Sequence, residues 1–496
     1  MRKNQNDNNT DTAEVAAEPA KKPGNRAIAL DALRGLAILA MVLSSLVPGT
    51  LPAWMYHAQD PPPTHITNIN LPGISWVDVV FPFFLFSMGA AIPLALSRRL
   101  EKGKWWPVVP GILWRGVLLA AFAVYRDHVD PFAFTFTPTP HDWKMALVAF
   151  ALVFPIWWRM PKAIPLPVQW LIRAAGFWLA LVLLSSYRYA DNANLAWNQH
   201  ALRQWVERSD IIILVLANVS VFGSLIWLCT RKAWFARLAP VGLMVALKIS
   251  ATVPGWAQTV WNASPASWLY RMEFLKYLTI ILPATIVGDM MVDWLKARAT
   301  ERVKTQWPLW RLIALTLLLF AFAPVCVIGL KERLLVETPL VTAGMLLLGT
   351  LLTLKPLSEL EKFITRLFQW GAYWLLLGLV FEGYEGGIKK SNATISYFFV
   401  TLGLAILTLA AFTLLVERLK GRLPVALLAD NGQNPLLAYI GISNFVLPLA
   451  TLSGLNAWLD SRLVTPWQGA LHAAIITLVL ALVVSAATRA KVFVRA

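Results

Sequence analysis

Apolar segments alternate with short polar segments from residue 27 almost to the end of the chain. A helix of about 20 apolar residues is long enough to cross the hydrocarbon core of a bilayer. The pattern therefore predicts an all-α, polytopic integral membrane bundle with about 11–14 transmembrane helices. The candidate spans are residues 27–47, 74–97, 107–125, 143–158, 166–187, 210–228, 234–253, 274–294, 309–330, 338–354, 366–384, 394–416, 435–452 and 467–487.

Three of these segments carry weaker signals than the others. Segment 143–158 is short, segment 234–253 contains a lysine, and segment 435–452 has a polar start that is compatible with a re-entrant helix. Residues 1–25 are polar and lack an apolar period, which predicts a disordered N-terminal tail ahead of a membrane domain at residues 26–496.

Lysine and arginine are distributed unequally between alternate loops. If the N-terminus is cytoplasmic, 27 of the 44 basic residues lie in the two termini and the loops on their side, and 11 lie in the opposite loops. Cytoplasmic loops of membrane proteins carry the excess of basic residues. The distribution predicts cytoplasmic termini and an external loop at residues 48–73. It explains the net charge of +17 by membrane topology, with the lipid bilayer as partner and no nucleic acid.

The external loop at residues 48–73 contains two histidines that are candidates for chemistry. His57 follows an aromatic stretch and precedes three prolines, which stiffen the loop that presents it. A neutral imidazole can take a proton from an attacking amine or hydroxyl. The alternative is an ordinary solvent-exposed loop histidine. His65 is a second candidate, and a metal site is not predicted because the histidine spacing matches no ligand signature.

Asp78 begins the second apolar segment, close in sequence to the histidine loop. Two interpretations remain open at this point. The carboxylate could orient an imidazole, as it does in catalytic triads. It could instead be a first-turn acid that stabilises the start of a helix.

Polar residues also interrupt the apolar segments elsewhere. Asp31 and Arg34 lie at i and i+3 of the first helix, where they form either a structural ion pair or part of a cofactor passage. Late in the chain, the amides that precede Pro435 could bind a polar ligand or cap the next helix. We find no Walker motif, GxSxG elbow, HExxH or GxGxxG. Both cysteines fall at or inside apolar segments, as small apolar side chains do.

Several of these motifs together resemble a known family. They are ALDALRG in the first helix, the His57-Ala58 pair in the loop, WVDVVFPFFLFSMG in the second helix and GQNPLLAY near residue 435. The stretch from residue 26 to residue 100 is similar to the transmembrane N-acetyltransferases typified by heparan-α-glucosaminide N-acetyltransferase, and it looks closest to a bacterial branch of unknown function. Ser45 stands where that family often has Asn.

The resemblance implies transfer of an acetyl group from cytosolic acetyl-CoA to a glucosamine amine across the membrane. It assigns the essential histidine to His57 and its neighbour to Asp78. His65 is expected to help orient His57. Asp31, Arg34, Ser45 and Asn434 are expected to bind the acyl-CoA donor or the acceptor.

The sequence therefore predicts an acyltransferase of a bacterial inner membrane, with an acyl-CoA donor and an amine or hydroxyl of a periplasmic sugar or glycan as acceptor. External tryptophans could stack on the sugar or form an interfacial belt. The alternative is a transporter or flippase that uses intramembrane charges as a substrate path, namely Lys248, Lys276, Asp289 and Glu382. Association of two copies of this chain into a homodimer is compatible with the sequence.

Overall fold

The computed structural model describes residues 27–495, with the exception of residues 102, 134, 136, 162, 186–207, 302–305 and 420–421. The predicted tail at residues 1–25 lies outside the described residues. Within these limits the chain is built from α-helices, and eleven helices are long and apolar enough to cross a membrane. The prediction of an all-α polytopic membrane bundle is confirmed.

We number the helices in chain order. They are α1 Ile28–Leu46, α2 Trp76–Leu100, α3 Val109–His128, α4 Pro140–Trp157, α5 Leu166–Ser185, α6 Ile211–Thr230, α7 Leu238–Ser250, α8 Trp256–Trp261, α9 Leu278–Arg298, α10 Leu309–Lys331, α11 Glu337–Leu352, α12 Glu359–Tyr384, α13 Ile395–Glu417, α14 Arg422–Gln433, α15 Pro435–Leu452, α16 Leu455–Arg462 and α17 Pro466–Arg489. Helix α15 contains a π-helical turn at Ile442–Val446.

Each of the fourteen predicted segments contains one of these helices. The three that are not among the eleven apolar spans are α4, α7 and α11. Helix α7 has 13 residues and α11 has 16, and α4 carries two charged residues in its first turns. Helices α8, α14 and α16 were not predicted because each is short, and α14 and α16 also carry several polar residues.

The bundle has two distinguishable ends. We call the end that carries residues 48–73 the loop end. The opposite end, where α2 finishes, is called the cavity end. Ala27 and Arg495 line the same cavity at the cavity end. The described chain therefore begins and finishes at the same end of the bundle.

Helix α13 lies at the centre of the bundle. Its sequence is apolar on every face until Glu417, and 89% of its most apolar stretch is buried. A helix that is apolar all round lies in lipid or in the interior of a protein, and this degree of burial places α13 in the interior. Helix α13 packs against α12 most extensively and also contacts α1, α2, α9 and α10. It therefore connects the helices that carry the two sites described below.

Helices α1 and α14 pack backbone against backbone at the cavity end. A Cβ atom built on Gly35 would lie 1.8 Å from the carbonyl oxygen of Leu428, and one on Gly432 would lie 1.8 Å from that of Asp31. No side chain fits at either position, since real Cβ contacts are not shorter than 3.0 Å. Two of the sequence motifs, LRG and GQN, thus contribute their glycines to one helix contact.

Candidate active site

The loop at residues 48–73 folds back on itself before it reaches His57. A short 3-10 turn at Ala53–Met55 leads into Tyr56, whose hydroxyl donates a hydrogen bond to the carbonyl of Pro48. The same hydroxyl accepts the backbone N–H of Leu51 at 2.8 Å. These bonds close the first part of the loop, and the next residue along the chain is His57.

The His57 side chain lies directly against Asp78. Its Nδ1 is 2.6 Å from Oδ1 of Asp78. The carboxylate is fully buried, while the imidazole keeps a third of its surface exposed. Because the carboxylate accepts the Nδ1 proton, Nε2 keeps its lone pair and becomes the basic atom of the ring. The structure thus brings two of the residues singled out in the sequence into contact.

Asp78 also stabilises the start of α2. Its Oδ2 accepts the backbone N–H of Ser75 at 2.8 Å and that of Ala58 at 3.1 Å. Ser75 in turn caps the helix through its own side chain, which completes a capping box. One oxygen of Asp78 therefore contacts His57 and the other fixes the backbone on either side of the site, which confirms the cap, while a catalytic role of Asp78 stays a prediction.

A third group, Lys390, lies at this site and was missed by the sequence analysis. Its Nζ is 3.0 Å from both ring nitrogens of His57. Lys390 belongs to the short loop between α12 and α13, 333 residues from His57. One signal was available in the sequence: Lys389 and Lys390 stand side by side in a loop on the side that is poor in basic residues.

Gln59 holds the two loops together. Its side chain is fully buried. The amide nitrogen donates to the carbonyls of Leu71 at 2.9 Å and Gly73 at 3.0 Å, and the amide oxygen accepts the backbone N–H of Lys390 at 3.3 Å. A further backbone bond joins Gly73 to Ile388 at 2.7 Å. The positions of His57 and Lys390 are therefore fixed by one set of buried hydrogen bonds.

Burial changes the ionisation of Lys390. It lowers the pKa of the ammonium below the ordinary value for lysine, although the carboxylates of Asp78 and Asp60 act in the opposite direction. Desolvation disfavours a charged amine, and nearby negative charge favours it. Lys390 therefore releases its proton more readily than a lysine in water.

His65 lies in the same loop, and its ring nitrogens lie close to backbone carbonyls. Its Nε2 is 2.8 Å from the carbonyl of Gly49 and its Nδ1 is 3.2 Å from the carbonyl of Asp60. The ring also packs edge-on against Tyr56, with ring centroids 4.6 Å apart. Its backbone adopts φ +51°, in the left-handed region. In this geometry His65 braces the loop, and its expected role in orienting His57 stays a prediction.

A cavity of about 770 Å³ opens at the cavity end, between α1, α2 and α9. Asp31 and Arg34 both line it, and their side chains approach to 3.6 Å. Arg34 also donates to the carbonyls of Ser87 at 2.9 Å and Gly432 at 3.2 Å. Arg98 and Arg495 add positive charge to the wall. The Asp31–Arg34 pair is thus both an ion pair and part of a cavity wall.

Ser45 and Asn434 lie elsewhere. Ser45 is exposed near the loop end of α1, where its hydroxyl donates to the carbonyl of Val42 at 2.8 Å. Asn434 is fully buried; it donates to the carbonyl of Val492 at 2.8 Å and accepts the N–H of Val494 at 3.0 Å. Its side chain does not cap α15. Asn434 therefore holds residues 492–494 in place, and ligand binding by either residue stays a prediction.

Three of the four charges considered for a transport path form separate ion pairs. Asp289 pairs with the fully buried Arg237 at 2.6 Å. Glu382 pairs with Arg333, and Lys276 pairs with Glu273, each at 2.5 Å. The fourth residue, Lys248, contacts the ring of Trp261.

The fold and these two sites define a multi-pass membrane protein with a His-Asp-Lys cluster at one end and a basic cavity at the other. Residues 26–291 match the family described as Domain of unknown function (DUF5009), and the chain belongs to that family.

A segment of 114 residues is 28% identical to heparan-alpha-glucosaminide N-acetyltransferase of Mus musculus. The match covers 23% of this chain and 16% of the mouse protein, so the chain spans about a sixth of that relative's length. This similarity supports a distant relationship to the acetyltransferase. The bacterial branch stays a prediction.

Proposed function

We propose that this protein is a membrane-embedded acyltransferase. It moves an acetyl or other acyl group from an acyl-CoA at the cavity end to an amine or hydroxyl of a sugar or glycan at the loop end. The observation that carries the proposal is the contact between His57 and the buried carboxylate of Asp78, at a position that solvent reaches. The distant similarity to an acetyltransferase supports the same reaction class.

His57 supplies the base for this reaction. Asp78 accepts the Nδ1 proton and fixes the ring, so Nε2 is the atom that takes the proton of the attacking amine or hydroxyl. The carboxylate also stabilises the imidazolium that forms. Proton transfer of this kind contributes about 10² to 10⁴ to the rate.

The cavity between α1, α2 and α9 is the proposed donor site. Its volume of about 770 Å³ lies in the range of small-molecule sites. Arginine is the side chain best suited to phosphate oxygens, and Arg34, Arg98 and Arg495 face the cavity. These residues would hold the anionic part of the donor, which supplies the acyl thioester.

The two sites lie on one helix but far apart. Asp78 is in the first turn of α2, and Ala91 lines the cavity 13 residues later. At 1.5 Å per residue the separation is about 20 Å along the helix. The thioester end of a donor held in the cavity therefore has to extend through the bundle to reach His57. The bias of basic residues supports a cytoplasmic cavity end and an acceptor on the outer face of a bacterial inner membrane.

The test compares purified wild type with His57→Ala in detergent. His141→Ala is the matched control, since this exposed histidine begins α4 outside the site. Binding of acetyl-CoA and of longer acyl-CoAs is measured, together with release of free CoA when amino sugars are added. We expect all three proteins to bind the thioester and only His57→Ala to lose turnover. If wild type binds no CoA thioester, the proposal is wrong.

A further inference from the structure

We propose that Lys390 is a third catalytic group of this site. Its ammonium donates a hydrogen bond to the acyl carbonyl oxygen and stabilises the negative charge that develops there while His57 takes up the acceptor's proton. The inference rests on the proposed acyl transfer and adds to it the residue that carries the electrophilic part of the reaction.

The position of Nζ is the main reason. It lies 3.0 Å from Nε2 of His57, the ring nitrogen at which the acceptor's proton arrives. The acceptor atom must sit within hydrogen-bond distance of Nε2, and the carbonyl carbon must sit within bonding reach of the acceptor atom. A donor placed beside Nε2 is therefore close to the carbonyl oxygen during the reaction. Preorganised donors at this position contribute more than any other single group in many acyl transfers.

Lys390 is also not explained as a structural ion pair. In the part of the chain that the structure describes, its Nζ has no carboxylate within 4.0 Å, although Asp78 and Asp60 act on it electrostatically. An ammonium that is placed only for stability would be expected to contact one of these carboxylates directly. The backbone of Lys390 is anchored through Gln59 to the loop that carries His57.

The acceptor's lone pair forms the new bond to the carbonyl carbon, and the carbonyl π pair moves to oxygen, where Lys390 donates a hydrogen bond. His57 takes the acceptor's proton at Nε2. When the C=O bond forms again, the C–S bond breaks and the thiolate receives that proton from His57. Thioester and amine become amide and thiol, and Lys390 keeps its proton throughout.

The charged and titratable groups that face Lys390 are His57 and Asp60 of the loop at residues 48–73 and Asp78 of α2. The ammonium form is the active form, so turnover is present below the pKa of Lys390 and is lost as the pH rises through it. Burial lowers that pKa, and the alkaline fall in turnover therefore comes at a lower pH than for an ordinary lysine. Arginine at this position stays protonated and removes the alkaline fall.

The experiment measures CoA release against pH for the full-length protein and the variants Lys390→Met, Lys390→Gln and Lys390→Arg. Lys389→Met is the matched control from the neighbouring position. We expect Lys390→Met and Lys390→Gln to lower kcat by about 10² to 10³ with donor binding unchanged. Lys390→Arg should restore part of the turnover and show no alkaline fall. Lys389→Met should behave as wild type.

Two results overturn the inference. The first is an active wild type together with a folded Lys390→Met or Lys390→Gln protein whose kcat stays within a few-fold of it. The second is a Lys390→Arg protein that keeps the alkaline fall of wild type. A wild type that releases no CoA with any donor overturns the proposed function itself, and the two failures are therefore distinguishable.

Discussion

The carboxylate of Asp78 contacts the imidazole of His57 through one oxygen and caps its own helix through the other. The first oxygen lies 2.6 Å from Nδ1 of His57. The second accepts the backbone N–H groups of Ser75 and Ala58. One buried side chain therefore links the start of α2 to the loop that presents the proposed base, and its two roles can be separated by substitution.

We expect Asp78→Asn to lower turnover by about 10² to 10⁴, because an amide no longer favours the Nδ1 proton or stabilises the imidazolium. Asp142→Asn is the control, since Asp142 completes the same kind of capping box at the start of α4 with Thr139. Loss of a cap costs about 1 kcal/mol. CoA release and Tm are measured for both variants. If Asp142→Asn loses turnover to the same degree, capping and not orientation explains the effect.

We expect His65 to tolerate asparagine better than valine. Asn readily adopts the left-handed φ of +51° seen at this position, whereas a β-branched residue does not. His65→Asn should keep most of its turnover, with a small decrease in Tm from the lost bond to Gly49. His65→Val should lose stability. A folded His65→Asn protein without turnover would show that His65 takes a direct part in the chemistry.

We expect Gly35→Ala and Gly432→Ala to prevent correct folding. Each added Cβ would lie 1.8 Å from a backbone oxygen of the other helix, and neither helix can move without repacking the cavity end. Gly344→Ala in α11 is the control, because a Cβ there meets nothing within 4 Å. The yield of monodisperse protein by size-exclusion chromatography distinguishes them. Normal yield from Gly35→Ala would contradict the close contact of α1 and α14.

We expect the amine of Lys390 to become reactive at a lower pH than the exposed Lys232. Burial lowers its pKa, so the neutral and reactive form appears earlier as the pH rises. In Asp78→Asn the pKa should fall further, since a negative charge that favours the ammonium is removed. Competitive labelling with trace acetic anhydride, read by peptide mass spectrometry, measures both proteins. An unchanged or higher pKa in Asp78→Asn would contradict this account.

We expect Asp289→Ala to lower stability rather than change the chemistry. Arg237 is fully buried, and removal of its partner leaves a charge that costs about 3–5 kcal/mol. Asp293→Ala, one turn further along α9 and exposed, should have little effect. Tm and turnover per folded molecule are measured. A folded Asp289→Ala protein that loses turnover, while Tm is unchanged, would favour a substrate path through these charges.

The membrane-spanning helices were predictable from the sequence because the bilayer restricts which structures can cross it. A bilayer requires long apolar helices, and eleven of the fourteen predicted segments contain one. Helices α8, α14 and α16 were missed, since none of them is long or apolar enough to resemble a span. The glycine contact between α1 and α14 depends on a helix that the pattern does not reveal.

The candidate site was only partly predictable. His57 and Asp78 are 21 residues apart, so a loop followed by a helix start was enough to associate them. Lys390 reaches the same site from 333 residues away, through the tertiary packing of α12 and α13, and no local pattern encodes that contact. Asn434 shows the opposite case: its position before a proline suggested a cap or a ligand, whereas its side chain tethers residues 492–494.

The distance of about 20 Å between the arginine-lined cavity and His57 has a pharmacological consequence. On the proposed topology, a compound that takes only the acceptor's place at the loop end reaches His57 and Lys390 from the outer aqueous phase and has no need to permeate the bilayer. It does not displace a ligand from the far cavity, so raising the concentration of that ligand does not relieve the block. Inhibition from the loop end should accordingly be noncompetitive with respect to the donor.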